Sequence, residues 1–188
     1  MGSALIIADV QTGVIESFPW SATVLPPLAT LLPVLRTRGL PVIFVRVALR
    51  RNGAEVPARN PLASWMFAQG DLFLESSGTA QVHADICPLV DETVIVKRRV
   101  SAFNGTDLES VLRSRDVDSI ALAGVATSGA VLATLIDAVD RDFAATVLSD
   151  CCADDDPEVH DFMLKKILPG RGARVLSSQE WLSEPVHA

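Results

Sequence analysis

The sequence predicts an α/β protein of three layers, a parallel sheet held between two layers of helices. Short β-branched runs alternate with amphipathic stretches, which is the pattern of successive βα units. Those runs are apolar on both faces, as strands covered by helices on each side must be. With 188 residues and no Ser/Gly linker or break in composition, residues 1–188 are read as one domain with a sizeable core.

The strands read from the sequence are residues 4–8, 42–47, 93–96, 119–123, 145–148 and 174–176. Between the first two, a helix is expected over 23–38, with Pro26 and Pro27 in its first turn and Gly39 as its stop. The next is expected to open at Thr106, where Thr106-Asp107-Leu108-Glu109 has the form of a capping box. Residues 128–141 carry apolar side chains at helical spacing, another helix opens at Pro157 and ends before Pro169, and Ser177-Ser178-Gln179-Glu180 starts the last. Two stretches, 48–64 and 70–91, are longer than ordinary connections and are expected to shape a substrate site or an interface.

Composition narrows the function classes. Apolar residues make up 49% of the chain, yet no run reaches the roughly 18 residues that span a bilayer, so no membrane role is expected. The stretch 4–10 lacks a basic flank and is interrupted by Asp9, which argues against a signal peptide and for a cytoplasmic protein. Cys87, Cys151 and Cys152 form no even framework, so no disulfide is expected. A net charge of -7 with dispersed cations disfavours nucleic acid as a partner. His83, His160 and His187 are scattered without metal-ligand spacing, so neither a metal nor another cofactor is expected.

In an open parallel sheet, ligands bind beyond the carboxyl ends of the strands. Strand one ends in Asp9, strand three ends in Lys97, and strand four runs through Gly124 into a helix opening at 127–130. A carboxylate after four apolar residues is partly desolvated, which favours its neutral form, while a nearby lysine favours the charged one. That competition makes a tunable acid or base. Taken singly, Asp9 also fits a turn cap and Lys97 a solvated strand end; on one rim they point to a site.

These residues resemble the isochorismatase-like (cysteine hydrolase) superfamily. Leu5-Ile6-Ile7-Ala8-Asp9-Val10-Gln11 is similar to its opening motif of a hydrophobic run, Asp, any residue and Gln. Val96-Lys97-Arg98-Arg99-Val100-Ser101-Ala102-Phe103 resembles its Lys segment, and residues 124–134 resemble its G-V-x-T-x-x-C-V-x-x-T block. Asp150 with Ala153 resembles the segment after strand five. The resemblance implies a Rossmann-like, six-stranded parallel sheet in order 3-2-1-4-5-6. It implies an Asp, Lys and Cys triad at Asp9, Lys97 and position 130, and a cis peptide at Val125-Ala126. It also places Gln11, Val125, Ala126, Thr127, Ser128 and Gly129 beside the substrate, with backbone N–H groups near 128–130 facing a substrate oxygen.

The chain departs from that pattern at Ala130, because a methyl group cannot attack a carbonyl. Cys151 and Cys152 are read as buried structural thiols rather than replacements. The family also offers a cysteine-free precedent: isochorismatases hydrolyse a vinyl ether, with the Asp protonating the enol carbon. The reading is therefore a hydrolase without a cysteine nucleophile, acting on a small carboxylated molecule. Two alternatives stay open, a non-catalytic binding protein and a cysteine amidohydrolase whose nucleophile was replaced by alanine. Arg46 and Arg98 are candidates for holding a carboxylate or for surface ion pairs. Phe18, Trp20, Trp65 and Phe103 are candidates for pocket walls or for simple packing. Asp154, Asp155 and Asp156 precede Pro157 and read as charge complement to a helix N-terminus. The apolar composition and the resemblance favour a homo-oligomer, a dimer or tetramer.

Overall fold

The computed structural model describes residues 2–184. Its strands are β1 (Gly2–Ala8), β2 (Val42–Val47), β3 (Thr93–Lys97), β4 (Val117–Val125), β5 (Ala144–Ala153) and β6 (Ala173–Leu176). All pair in parallel in the order β3-β2-β1-β4-β5-β6, the order the resemblance implies. The chain winds outward from β1 in both directions, so the carboxyl ends of β1 and β4 flank the switch point where such sheets bind ligands.

Side-chain alternation along each strand divides the core in two. Leu5 and Ile7 of β1, Val42 and Phe44 of β2, and Ala121 and Ala123 of β4 face one layer. Ala4 and Ile6, Ile43 and Val45, and Ile120 and Leu122 face the other. The first layer holds α1 (Thr12–Ser17), α2 (Leu25–Thr37), α3 (Pro61–Ala68) and α7 (Ser178–Ser183). The second holds α4 (Leu108–Arg113), α5 (Leu132–Val139) and α6 (Pro157–Phe162), the last continued by a wide turn over Met163–Ile167.

Several boundaries differ from the sequence reading for identifiable reasons. β5 continues past residue 148 because Ser149 and Asp150 are strand residues despite their polarity. The Asp150 carboxylate accepts the Ser178 amide at 2.7 Å and the Ser178 hydroxyl at 2.6 Å, so it serves the start of α7. Asp150 and Ala153 therefore lie within β5 rather than after it. Residues 19–24 form a separate 3-10 turn before α2, which also accommodates Pro33. The expected capping box at Thr106 is replaced by a local turn: the Thr106 hydroxyl donates to Ala102 O and accepts from Leu108 N. The box at Ser177 and Glu180 is complete. α1 and α3 went unread because α1 has no side-chain cap to announce it and α3 opens inside the stretch read as irregular. Asn60 caps α3 by accepting from Ala63 N at 3.0 Å.

Candidate active site

At the end of β1 the chain turns off sharply. Asp9 has φ +59°, a left-handed conformation uncommon outside glycine, and its amide still pairs with Val45 O at 2.8 Å. Across the switch point Gly124 holds φ +120°, and a Cβ there would lie 2.0 Å from Ala8 O. Only glycine lets β1 and β4 approach so closely. The Val125-Ala126 peptide is cis. From there the chain enters a wide turn over Thr127–Val131, in which Val131 N reaches back to Ala126 O at 3.2 Å.

This backbone brings Asp9 and Lys97 together. Lys97 Nζ lies 2.7 Å from Asp9 Oδ2 and donates to Val100 O at 2.5 Å, and the lysine is 1% exposed. Asp9 Oδ1 is buried and has no hydrogen-bond partner. Burial pushes the Asp9 carboxyl above the ordinary carboxylate range, and the Lys97 charge only partly offsets this. The carboxyl is thus held from one side by a cation and left without a hydrogen-bond partner on the other.

Asp9 and Lys97 lie at the bottom of a pocket of about 440 Å³. Ala130, Gly129, Ser128, Ala126 and Val125 form its β4 side, and Phe18, Trp20, Trp65 and Phe73 supply aromatic walls. Of the residues singled out from sequence, the fold therefore gathers Asp9, Lys97, Ala130, Phe18, Trp20, Trp65, Val125, Ala126, Ser128 and Gly129 around one cavity.

Five expected residues have other places. Gln11 is fully buried and its carboxamide acts as a surrogate peptide: Oε1 accepts Val47 N at 2.8 Å, while Nε2 donates to Val47 O at 2.9 Å and Ala80 O at 3.0 Å. It continues the ladder that β1 abandons when the chain turns at Asp9. Arg46 is buried and donates to Ala80 O, and Phe103 packs in the opposite core layer against Phe143, with Arg141 over its ring. Arg98 is consumed by Glu75 at 2.7 Å, by Glu55 at 3.6 Å and by Ala48 O. Thr127 lies behind the pocket, its hydroxyl shared between Ala153 O at 3.1 Å and His160 Nδ1 at 2.9 Å. The Ser128 amide, expected to face a substrate, donates instead to Asp154 Oδ2 at 2.6 Å.

The pocket residues missed from sequence include Arg99, Asp154 and Asp155. β3 ends at Lys97 and the chain bends through 98–100, so strand alternation in the sequence does not tell Arg99, which lines the pocket, from Arg98, which does not. Asp154 follows the end of β5 as Asp9 follows the end of β1, a parallel hidden by ending β5 too early. Of the three aspartates, only Asp156 caps α6, through Glu158 N and Val159 N. Cys151 and Cys152 are buried within β5 and line no part of the pocket; burial pushes the Cys152 thiol up to about 12 and raises Cys151 as well. Both are poor nucleophiles as placed. Among the described residues no group of three or more His, Cys, Asp or Glu side chains is gathered for a metal; His187 lies outside them. No described helix is long and apolar enough to cross a membrane.

A parallel sheet in this order, wrapped by helices and with a buried carboxyl-ammonium pair beside a cavity at its switch point, places the chain in the doubly wound α/β class. The isochorismatase domain model matches residues 3–180, and the chain belongs to that family, whose members are hydrolases. It is 30% identical over 187 residues to the uncharacterized isochorismatase family protein YecD of Escherichia coli O157:H7, covering 96% of this chain and 95% of that one. A probable inactive nicotinamidase of Arabidopsis thaliana is 27% identical over 188 residues, covering 97% and 95%. The crystal structure of an isochorismatase family protein from Desulfovibrio vulgaris superposes with a TM-score of 0.86 at 26% identity, covering 97% of this chain and 98% of that chain.

Proposed function

We propose that this chain hydrolyses a small carboxylated molecule without a covalent intermediate, using Asp9 as general acid and then as general base. The observation that carries this reading is the asymmetry of the Asp9 carboxyl. Oδ2 is fixed by Lys97, whereas Oδ1 is buried and unpartnered, and Asp9 lines a cavity that is also lined by Ala130. Burial keeps a proton on Asp9 to higher pH than usual, the state an acid needs.

With a vinyl ether, the most concrete substrate class, protonated Asp9 delivers its proton to the enol carbon and becomes a carboxylate. The adjacent carbon becomes an oxocarbenium ion, stabilised by that carboxylate, and Lys97 holds the new negative charge. Water adds to the cation and its proton passes to Asp9. In the resulting hemiketal the C–O bond to the alcohol breaks as Asp9 gives its proton to the departing oxygen, and the hydroxyl proton passes back to the Asp9 carboxylate as the carbonyl forms. The aromatic walls limit competing water, and Arg99, whose Nη1 donates to Glu55 O and Arg98 O but which has no acidic partner among the described residues, is suited to hold the substrate carboxylate through its other nitrogens.

The test is turnover of a panel of enolpyruvyl ethers, isochorismate and monocarboxylate analogues among them, read as pyruvate release, by the native chain and by Asp9→Asn. Turnover by the native chain that falls about 10²–10⁴-fold in the variant is the expected result; turnover at the native rate by Asp9→Asn removes the mechanism.

Ala130 favours a second reading, a binding protein that retains the pocket. It predicts ligand affinity without turnover, and gain of amide hydrolysis only in Ala130→Cys.

A further inference from the structure

The pocket contains an acidic wall that the hydrolytic reading does not use. Asp154 is only 7% exposed, yet among the described residues its carboxylate forms no ion pair. Its two oxygens accept backbone amides, Oδ2 that of Ser128 at 2.6 Å and Oδ1 that of Asp155 at 3.1 Å. Asp155 stands next to it at the mouth, exposed, and also lines the cavity. A hydrogen bond with Asp154 raises the Asp155 carboxyl above its ordinary value, as expected of two acids that lack a cation between them.

A buried carboxylate without a counterion is costly, and in a binding pocket the missing charge can come from the ligand. Asp9 lines the same cavity and is nine-tenths buried with Oδ1 unpartnered, an independent sign that this space is built for a bound molecule. The opposite end has the opposite charge. Arg99 follows β3, whereas Asp154 and Asp155 follow β5, and the order β3-β2-β1-β4-β5 puts Asp9 between them. Four strand spacings separate β3 from β5, roughly 19 Å between strand axes before the loops fold inward. The walls between the two ends are aromatic and aliphatic.

From this arrangement we propose that the pocket selects an amphoteric small molecule: a carboxylate held by Arg99, an apolar body beside Asp9, and a cationic group, such as a primary ammonium, against Asp154 and Asp155. This rests on the reading that the cavity is the substrate site, and it narrows that reading. An ammonium donates to carboxylate oxygens and supplies the charge that Asp154 lacks, whereas a second carboxylate at that end meets two acids. The class is therefore a monocarboxylate with a remote amine, rather than a dicarboxylate. Asp154 also braces the Ser128 turn, whereas Asp155 is exposed, so Asp155 is the residue to test.

The experiment is calorimetric titration of the native chain and of Asp155→Asn with three probes. Each has a benzene ring with a propanoate group; para to it stands an aminomethyl group, a methyl group or a carboxymethyl group. The native chain is expected to bind the aminomethyl probe at least about tenfold more tightly than the methyl probe, and the carboxymethyl probe most weakly. Asp155→Asn should cut the aminomethyl advantage severalfold while leaving the methyl probe's affinity unchanged. Equal binding of the aminomethyl and methyl probes, no binding of the aminomethyl probe, or an advantage that survives intact in Asp155→Asn overturns the proposal. Binding is read without turnover. Loss of the charge preference alongside Asp9-dependent hydrolysis would sink this inference alone, whereas a clear preference with no hydrolysis would sink only the catalytic reading.

Discussion

Lys97→Met removes the cation beside a buried carboxyl while keeping most of the apolar volume of the side chain. Across 2.7 Å the attraction is about 6 kcal/mol at an effective dielectric near 20, and the desolvation of both groups offsets part of it. Removing one partner of a buried pair costs about 3–5 kcal/mol, the range expected here while Asp9 stays ionised. Asp9 can escape that cost by taking a proton, because burial already raises its pKa and loss of Lys97 raises it further. A group whose folded pKa lies above its unfolded value of about 3.9 contributes stability that is fully present below that value and is lost as pH rises through the folded pKa. The variant should therefore lose about 1.4 kcal/mol per pH unit from about pH 4 up to that pKa, and then level off. Urea unfolding from about pH 4 to about pH 8 measures this, with Asp9→Asn/Lys97→Met as reference, since it lacks both the charge and the titration. The difference between the two variants should be small in acid and largest at neutral pH. A difference that stays constant across the range would refute the account of the pair.

The remaining predictions separate structure from binding. Gln11→Met strips Val47 of its amide acceptor and its carbonyl donor, while Ala80 O keeps Arg46. Stability in urea should fall by about 2–6 kcal/mol, at 1–3 per orphaned group, with ligand affinity of the folded protein intact; lost affinity at unchanged stability would return Gln11 to the substrate. Arg99→Met should weaken a carboxylate probe about 10–100-fold, the range for charge-assisted hydrogen bonds. Arg98→Met, which breaks contacts to Glu75 and Glu55 outside the pocket, should leave that affinity alone; the reverse outcome would exchange their roles.

Much of this was legible without coordinates. The apolar runs of the six strands follow from their burial between two helix layers, and Asp9 and Lys97 stand at strand ends by local pattern alone. The strand order, which local pattern does not contain, followed from the four motif blocks. What escaped depends on which way a side chain turns once the strand is over. Gln11 sits in a motif beside Asp9, yet the left-handed turn at Asp9 carries it under β2, where an unpaired peptide takes its amide. Arg46, Arg98 and Arg99 are one residue type in the sequence, and only the tertiary structure sets Arg46 against Ala80 O, ties Arg98 to Glu75 and Glu55, and puts Arg99 in the pocket lining. Asp154 looked like helix charge complement until β5 extended past two polar residues and placed it against Ser128. The sequence by itself determined the layers, the strands and the chemistry available at their ends, because periodicity and residue type are local properties. The tertiary structure alone decided which of those groups share a cavity and which are neutralised by a neighbour, because burial and pairing depend on segments far apart in the chain.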